Sequence, residues 1–229
     1  MTITDSKGQT RTTQYRYPSD ITNSPDAAIL KTMTQKNIIS DYIEKTVSID
    51  NMIVSGEYQK FNEMQPSGVI KPEKIDLLQL SSPLAYKTLY PTTNASMQGN
   101  SNLYPETYYK YDVKGNVVET KHIKNNYVDV ILWGYNYQYP IAEIKNATYS
   151  DVIGIIPEST LNAIAAKSEL SAADSTTINS LRNSLPNALV ATYYDYDAFG
   201  RLKETYYYEN NDKSKKRKVE AYDYHYKSE

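Results

Sequence analysis

Tyr109-Lys-Tyr111-Asp112-Val-Lys-Gly115-Asn-Val117-Val-Glu119 returns 85 positions later as Tyr194-Asp-Tyr196-Asp197-Ala-Phe-Gly200-Arg201-Leu202-Lys-Glu204. Each copy is two alternating runs joined by Asp-x-x-Gly, the signature of a β-hairpin whose glycine takes the left-handed position. If Asp112 opens a type I turn and Gly115 fills the bulge, Asp112 faces Asn116, Tyr111 faces Val117 and Tyr109 faces Glu119. The second copy then pairs Asp197 with Arg201, Tyr196 with Leu202, and Tyr194 with Glu204. A tyrosine opposite an aliphatic residue is worth roughly 0.2–1 kcal/mol over an alanine pair. Asp197 and Arg201 read as an exposed pair of little value. Each aspartate has a better use inside its turn, accepting backbone N–H groups two residues on.

Composition sets the frame for these hairpins. The chain has 229 residues, a net charge of −2 and no cysteine, so it can bury one domain's core but has no disulfide, thiolate metal site or thiol nucleophile. Near-balanced charge implies no broad field for nucleic acid or a membrane surface. No run approaches the ~20 apolar residues of a membrane span, and Met1-Thr-Ile-Thr-Asp5 opens without the apolar core of an export signal. Leu, Ile, Val and Phe make up about a fifth of the chain, a level at which order needs another source of burial. Tyrosine supplies it. There are 24 Tyr against 2 Phe, and 17 of the Tyr lie in 104–139 or 193–226. A ring that packs on one side and keeps its hydroxyl wet suits a sheet with a half-exposed face.

In chain order, Tyr15-Arg-Tyr17-Pro18 reads as a short strand at a sheet edge, because proline stops it. Ser24-Pro25-Asp26 followed by helically spaced apolar residues predicts a helix at about 25–36, with serine as the cap and proline first. Ile43 to Ile49 alternates, Asp50-Asn51 turns the chain into a strand over 52–61, and 74–80 is another. Residues 81–101 show no period and read as a long surface connection. The first hairpin follows, then a turn at Asn125-Asn126, a strand at 127–134 and another from Tyr137 to Ile144. Thr148 with Asp151 forms a capping box, opening short helices at about 149–153, 157–167 and 172–184. Strand character returns at Leu189 and persists through 205–209 and 218–226. The expected fold is therefore mainly β, an antiparallel hairpin and meander sheet with a small helical insertion. Its regions are 1–103, β with one helix; 104–148, the first repeat; 149–187, helical; and 188–229, the second hairpin and a truncated third.

The run Tyr194-x-Tyr196-Asp197-x-x-Gly200-Arg201-Leu202 resembles the YD repeat of the RHS family. The copy at Tyr109, Tyr111, Asp112 and Gly115 matches it with Asn116 for the arginine and Val117 for the leucine. Tyr222-Asp-Tyr224-His-Tyr226 is similar to a third repeat cut off before its turn, and Leu132–Thr148 resembles a segment of RHS-like surface proteins. The resemblance implies a hollow β-shell of many repeats that can enclose a toxin, and a repeat region able to bind carbohydrate. Two and a half motifs are too few to close a shell. The expectation is a non-enzymatic structural segment of a cell-surface or secreted parent, partnered by neighbouring YD repeats or other chains. Without an export signal, the chain expressed alone would be cytoplasmic. The family's C-terminal self-cleavage region has no counterpart here.

Candidates for chemistry are few. His122 and His225 are the only histidines and fall at strand positions among tyrosines, so sheet surface is the simpler role. Asp112 and Asp197 could pair as cleft carboxylates, yet turn chemistry explains both. No nucleophile elbow, glycine-rich phosphate loop or metal-spaced ligand pair is present, so no cofactor and no metal is expected. Lys213-Ser-Lys-Lys-Arg217-Lys218 could be an anionic-surface patch but reads as a solvated loop between acidic neighbours. Trp133, Tyr135, Tyr137 and Tyr139 alternate at strand spacing and would share one face. That face could stack on sugar rings, making glycans the alternative partner; Asn136 and Gln138 would then point away, which favours packing and a mostly buried Trp133.

Overall fold

The Asp50-Asn51 dipeptide folds as expected for a two-residue hairpin turn, with both residues left-handed at φ 48° and 65°. It joins two strands of a large antiparallel sheet in a computed structural model that describes residues 1–65, 67–185, 188–197, 200–208 and 215–222. The chain is mainly β with small helices. It divides into two compact units, Met1–Tyr109 and Lys110–Glu229.

The first unit runs β1 (Thr2–Thr4), β2 (Thr10–Arg16), α1 (Ala27–Gln35), β3 (Glu44–Ile49), β4 (Met52–Met64), β5 (Val69–Leu78), β6 (Leu84–Ala85), α2 (Tyr86–Leu89) and β7 (Leu103–Tyr111), whose last two residues count with the second unit. Its strands lie in the order β1-β2-β3-β4-β5-β7, and β6 pairs with the start of β4. The first helix starts later than expected: Asp26 rather than Ser24 holds the cap position and regular helix begins at Ala27, while the Ser24 hydroxyl accepts the Asp26 amide (3.1 Å) in the turn before it. Leu30 and Met33 then face a core of Ile43, Ile53, Tyr58, Phe61 and Leu78.

The Tyr15–Arg16 end of β2 pairs with β3 alone, because β1 reaches only Thr10–Thr12 on the other side. One expectation fails in this unit. Residues 81–101 are not merely a surface connection, since they hold β6, α2 and the buried Leu89, Tyr90, Ala95 and Met97. A buried ion pair explains the failure. Arg16 donates to the Glu44 carboxylate at 3.0 Å, with the two side chains 5% and 0% exposed. Arg16 also donates to the carbonyls of Ala95, Thr93 (2.8 Å) and Asp20 (3.1 Å). Glu44 in turn accepts the Ser96 hydroxyl (2.5 Å) and the Met97 amide (2.7 Å). Buried charges are tolerated when their remaining hydrogen-bonding capacity is met. Here the connection's own backbone meets it, and is drawn into the core by doing so.

The second unit contains β8 (Val117–His122), β9 (Tyr127–Gly134), β10 (Tyr139–Lys145), α3 (Tyr149–Ile153), α4 (Glu158–Ala165), α5 (Ala172–Ser184), β11 (Leu189–Tyr196), β12 (Leu202–Tyr208) and β13 (Lys216–Ala221). The strands follow in chain order as a meander. β9 alternates strictly between buried and half-buried residues. Its inward Val130 and Leu132 pack with Ile141, Val152, Leu161, Ile164, Ile178 and Leu181, so the three helices cover one face of the sheet. The Thr148 capping box forms, with the Asp151 amide donating to Oγ1 at 3.1 Å and the Thr148 amide to the Asp151 carboxylate at 2.8 Å. A second box, Ser171 with Asp174, opens α5; there the Lys167 ammonium and the Ser171 hydroxyl hold the Asp174 carboxyl down at about 2. No helix among the described residues is long and apolar enough to cross a membrane.

Glu44→Ala should destabilise the protein by about 3–5 kcal/mol, because Arg16 would be left buried without its partner. Removing Glu63 from its exposed pair with Lys36 (2.7 Å) should cost under about 1 kcal/mol. Urea unfolding followed by circular dichroism measures both, and equal costs would contradict the anchoring role of Glu44.

Candidate functional site: a tyrosine-walled cleft at the second hairpin

Both repeated turns close through their aspartates. The Asp112 carboxylate accepts the amides of Lys114 (2.8 Å) and Asn116 (3.0 Å) and the Asn116 side chain (3.0 Å). Asp197 accepts the Arg201 amide (3.0 Å) and its guanidinium through Nε (2.8 Å) and one terminal nitrogen (2.5 Å). Gly115 and Gly200 take φ 87° and 73°, where a Cβ would be strained. Asp197–Arg201 is not the exposed pair expected from sequence: both side chains are at least two-thirds buried, and the contact is forked.

The register differs from expectation at one point. Tyr196 pairs with Leu202, but a bulge shifts the ladder so that Asp195 lies opposite Glu204 and Tyr194 opposite Thr205. Like charges facing across strands repel. Lys216 at 2.5 Å and Lys218 at 3.4 Å neutralise Glu204 from the next strand, which lets the bulged register stand. In the first copy Lys110 reaches Glu119 at 3.0 Å, and the same carboxylate accepts the Tyr149 amide at 2.6 Å, fixing the start of α3.

The aromatic run from Trp133 to Tyr139 is not a strand. Tyr135, Asn136 and Tyr137 are all left-handed, at φ 52°, 59° and 63°, so a turn separates β9 from β10 and the four rings cannot share a face. Such conformations cost non-glycine residues about 1–3 kcal/mol each and persist only where surroundings impose them. The end of α4 imposes them here. The Asn136 and Tyr137 amides donate to the carbonyls of Lys167 and Ala165, each at 2.8 Å, satisfying groups that a helix end leaves open. Asn116 clamps the Tyr137 carbonyl (2.9 Å) and the Tyr137 hydroxyl donates to the Asn162 carbonyl (3.1 Å). Trp133 is half-buried against the core and its indole N–H donates to the Val117 carbonyl (2.8 Å).

That turn divides the predicted aromatic set. Trp133 packs against the core and Tyr137 is tied by its hydroxyl to the Asn162 carbonyl, whereas Tyr135, which also packs against the core, and Tyr139 meet Tyr196 from the second repeat. Tyr139 stacks on Tyr196 at 4.7 Å and 29°, and Tyr135 stands edge-on to them at 71° and 72°. Burial, with neighbouring tyrosines adding, pushes the Tyr196 hydroxyl up to about 12. The rings wall an open cleft of about 540 Å³, lined further by Asn136, Gln138, Ser168, Glu169, Asp195, Asp197 and Gly200. Gly200 also makes room: a Cβ there would lie 2.2 Å from the Tyr139 hydroxyl. Sequence reasoning assigned Tyr196 only to the repeat and missed Glu169, because no local pattern marks a contact between β11 and a turn some sixty residues earlier.

The other candidates stay apart. Tyr109 and Tyr111 end β7, burial and then the charge of Glu143 raise the Tyr194 hydroxyl pKa, and Leu202 keeps its hairpin pairing. His122 stacks on Tyr127 at 6.3 Å; His225, the end of the third repeat and Lys213-Ser214 lie outside the described residues. Among the described residues no three acidic or histidine side chains are grouped to hold a metal. Compared with known proteins, the chain matches no family model and no curated relative.

Gly200→Ala should cost about 2–4 kcal/mol, combining positive-φ strain with the Tyr139 collision. In a Tyr139→Ala background the same change should cost only about 1 kcal/mol. A double-mutant cycle by urea unfolding tests this, and simple additivity would contradict the close approach.

Proposed function

We propose that this chain is a non-enzymatic module of RHS/YD-repeat type, a structural segment of a cell-surface or secreted β-shell whose partners are neighbouring repeats or other chains. The observation that carries the reading is the use of both repeated aspartates. The Asp112 carboxylate accepts two amides of its own turn and the Asn116 side chain, and the Asp197 carboxylate accepts the Arg201 amide and guanidinium, which supports turn chemistry over activation of a substrate. Its motif therefore repeats as a building element. Among the described strands β13 pairs with β12 alone, is exposed along its length and carries Lys216, Arg217 and Lys218, charges that discourage pairing with unintended strands.

The carbohydrate alternative rested on four aromatic rings in one row. Two of them, Trp133 and Tyr137, donate their polar hydrogens to backbone carbonyls, and Trp133 packs against the core, so the scaffold reading is the better supported. Asp112→Ala and Asp197→Ala should each lower stability by about 1–3 kcal/mol. Neither these changes nor His122→Ala should alter any turnover in a panel of ester, glycoside and phosphoester substrates. A wild-type hydrolysis abolished by one of the three, with the circular dichroism spectrum retained, would overturn the proposal.

A further inference from the structure

The cleft at the second hairpin holds more negative charge than the fold uses. Asp197 is answered by Arg201 at 2.5–2.8 Å. Asp195 is met only loosely by Lys203, at 4.0 Å with side chains 49% and 62% exposed, a spacing and exposure at which an ion pair is screened and weak. Glu169 approaches from the loop between α4 and α5 and is exposed. Among the described residues that line the cleft, these three carboxylates stand with no lysine or arginine. Asp195 and Glu169 bear on one ring from different elements: burial raises the Tyr135 hydroxyl pKa first, and both carboxylates push it further.

The ring geometry has the same polarity. An aromatic face carries the negative part of the ring quadrupole. Tyr139 and Tyr196 are near-parallel, and Tyr135 stands at about 70° to both, so the wall is a corner of two nearly perpendicular planes. Such a corner is half of the aromatic cage that surrounds an alkylated ammonium group. The turn bearing Tyr135 is fixed by α4, so the corner is formed before any ligand arrives and needs no ordering on binding.

We propose that this cleft binds an organic cation, an alkylammonium or guanidinium group set against Tyr135, Tyr139 and Tyr196 between the carboxylates of Asp195 and Glu169. A neutral ring could stack on the same tyrosines but would leave the two carboxylates uncompensated. A cation satisfies the rings and the charge together, and the volume suits a group of this size. The inference goes beyond the scaffold reading and does not depend on it. The cation can come from a free small amine or from a basic side chain of another protein; both present the same chemistry.

Calorimetric titration of the full chain with agmatine, with a capped tetrapeptide containing one arginine, and with neutral methyl glucoside distinguishes these cases. Saturable binding of agmatine or the peptide is expected, weakening as salt is raised. Tighter binding of the peptide assigns the site to a protein partner, and tighter binding of agmatine to a free amine. The double variant Asp195→Asn/Glu169→Gln lies on exposed positions and should keep the thermal unfolding curve while weakening cation binding roughly threefold to tenfold. Tyr196→Leu, which keeps an apolar partner for Leu202, should weaken it by roughly threefold or more. Saturation by methyl glucoside without the cations, no saturation by either cation, or unchanged cation affinity in the double variant would overturn the proposal.

Discussion

A carboxylate that binds the amides of its own turn is the interaction on which the second unit depends. In Asp112 and Asp197 the acceptor is charged and the donors are backbone N–H groups, a combination worth more than a neutral hydrogen bond, about 1.5–3 kcal/mol. It makes the turn compact enough to demand a left-handed residue, which glycine supplies at 115 and 200. Turn geometry then decides register. In the second hairpin it sets Tyr196 opposite Leu202 and so delivers the third ring of the tyrosine wall. The missing glycine side chain leaves the space that Tyr139 enters.

The same device recurs where strands meet connections. Glu44, buried in β3, captures the Ser96 hydroxyl and the Met97 amide with Arg16 as counter-charge. Glu119, buried in β8, captures the first amide of α3 with Lys110 as counter-charge. Each acid lies within a strand yet binds backbone outside the sheet. A chain with few large aliphatic residues thus fastens its loops with buried carboxylates, each paired with a cation that limits the desolvation penalty.

Local chemistry was legible in the sequence. The Asp-x-x-Gly turns, the Asp50-Asn51 hairpin, the Thr148 capping box and the alternation of 127–134 all depend on residues close together in the chain. What escaped was set by distant partners. Tyr135 and Tyr137 alternate like strand residues, yet the turn that contains them is left-handed, its Asn136 and Tyr137 amides bound to the carbonyls of Lys167 and Ala165. Residues 81–101 have loop composition, yet Glu44 and Arg16 draw Ala95 and Met97 inside. The bulge at Asp195 sets it opposite Glu204, whose charge is met by lysines on a third strand. The cleft inherits all of this: its individual tyrosines could be picked out, but their meeting could not.

Amide hydrogen exchange at Lys114, Asn116 and Arg201 tests the account most directly, because their N–H groups donate to the turn carboxylates. The account expects all three to be protected in the native protein. Asp112→Ala should release Lys114 and Asn116 alone, and Asp197→Ala should release Arg201 alone, with the amides of β9 unchanged. Exchange at the rate of an open loop in the unaltered protein would contradict it.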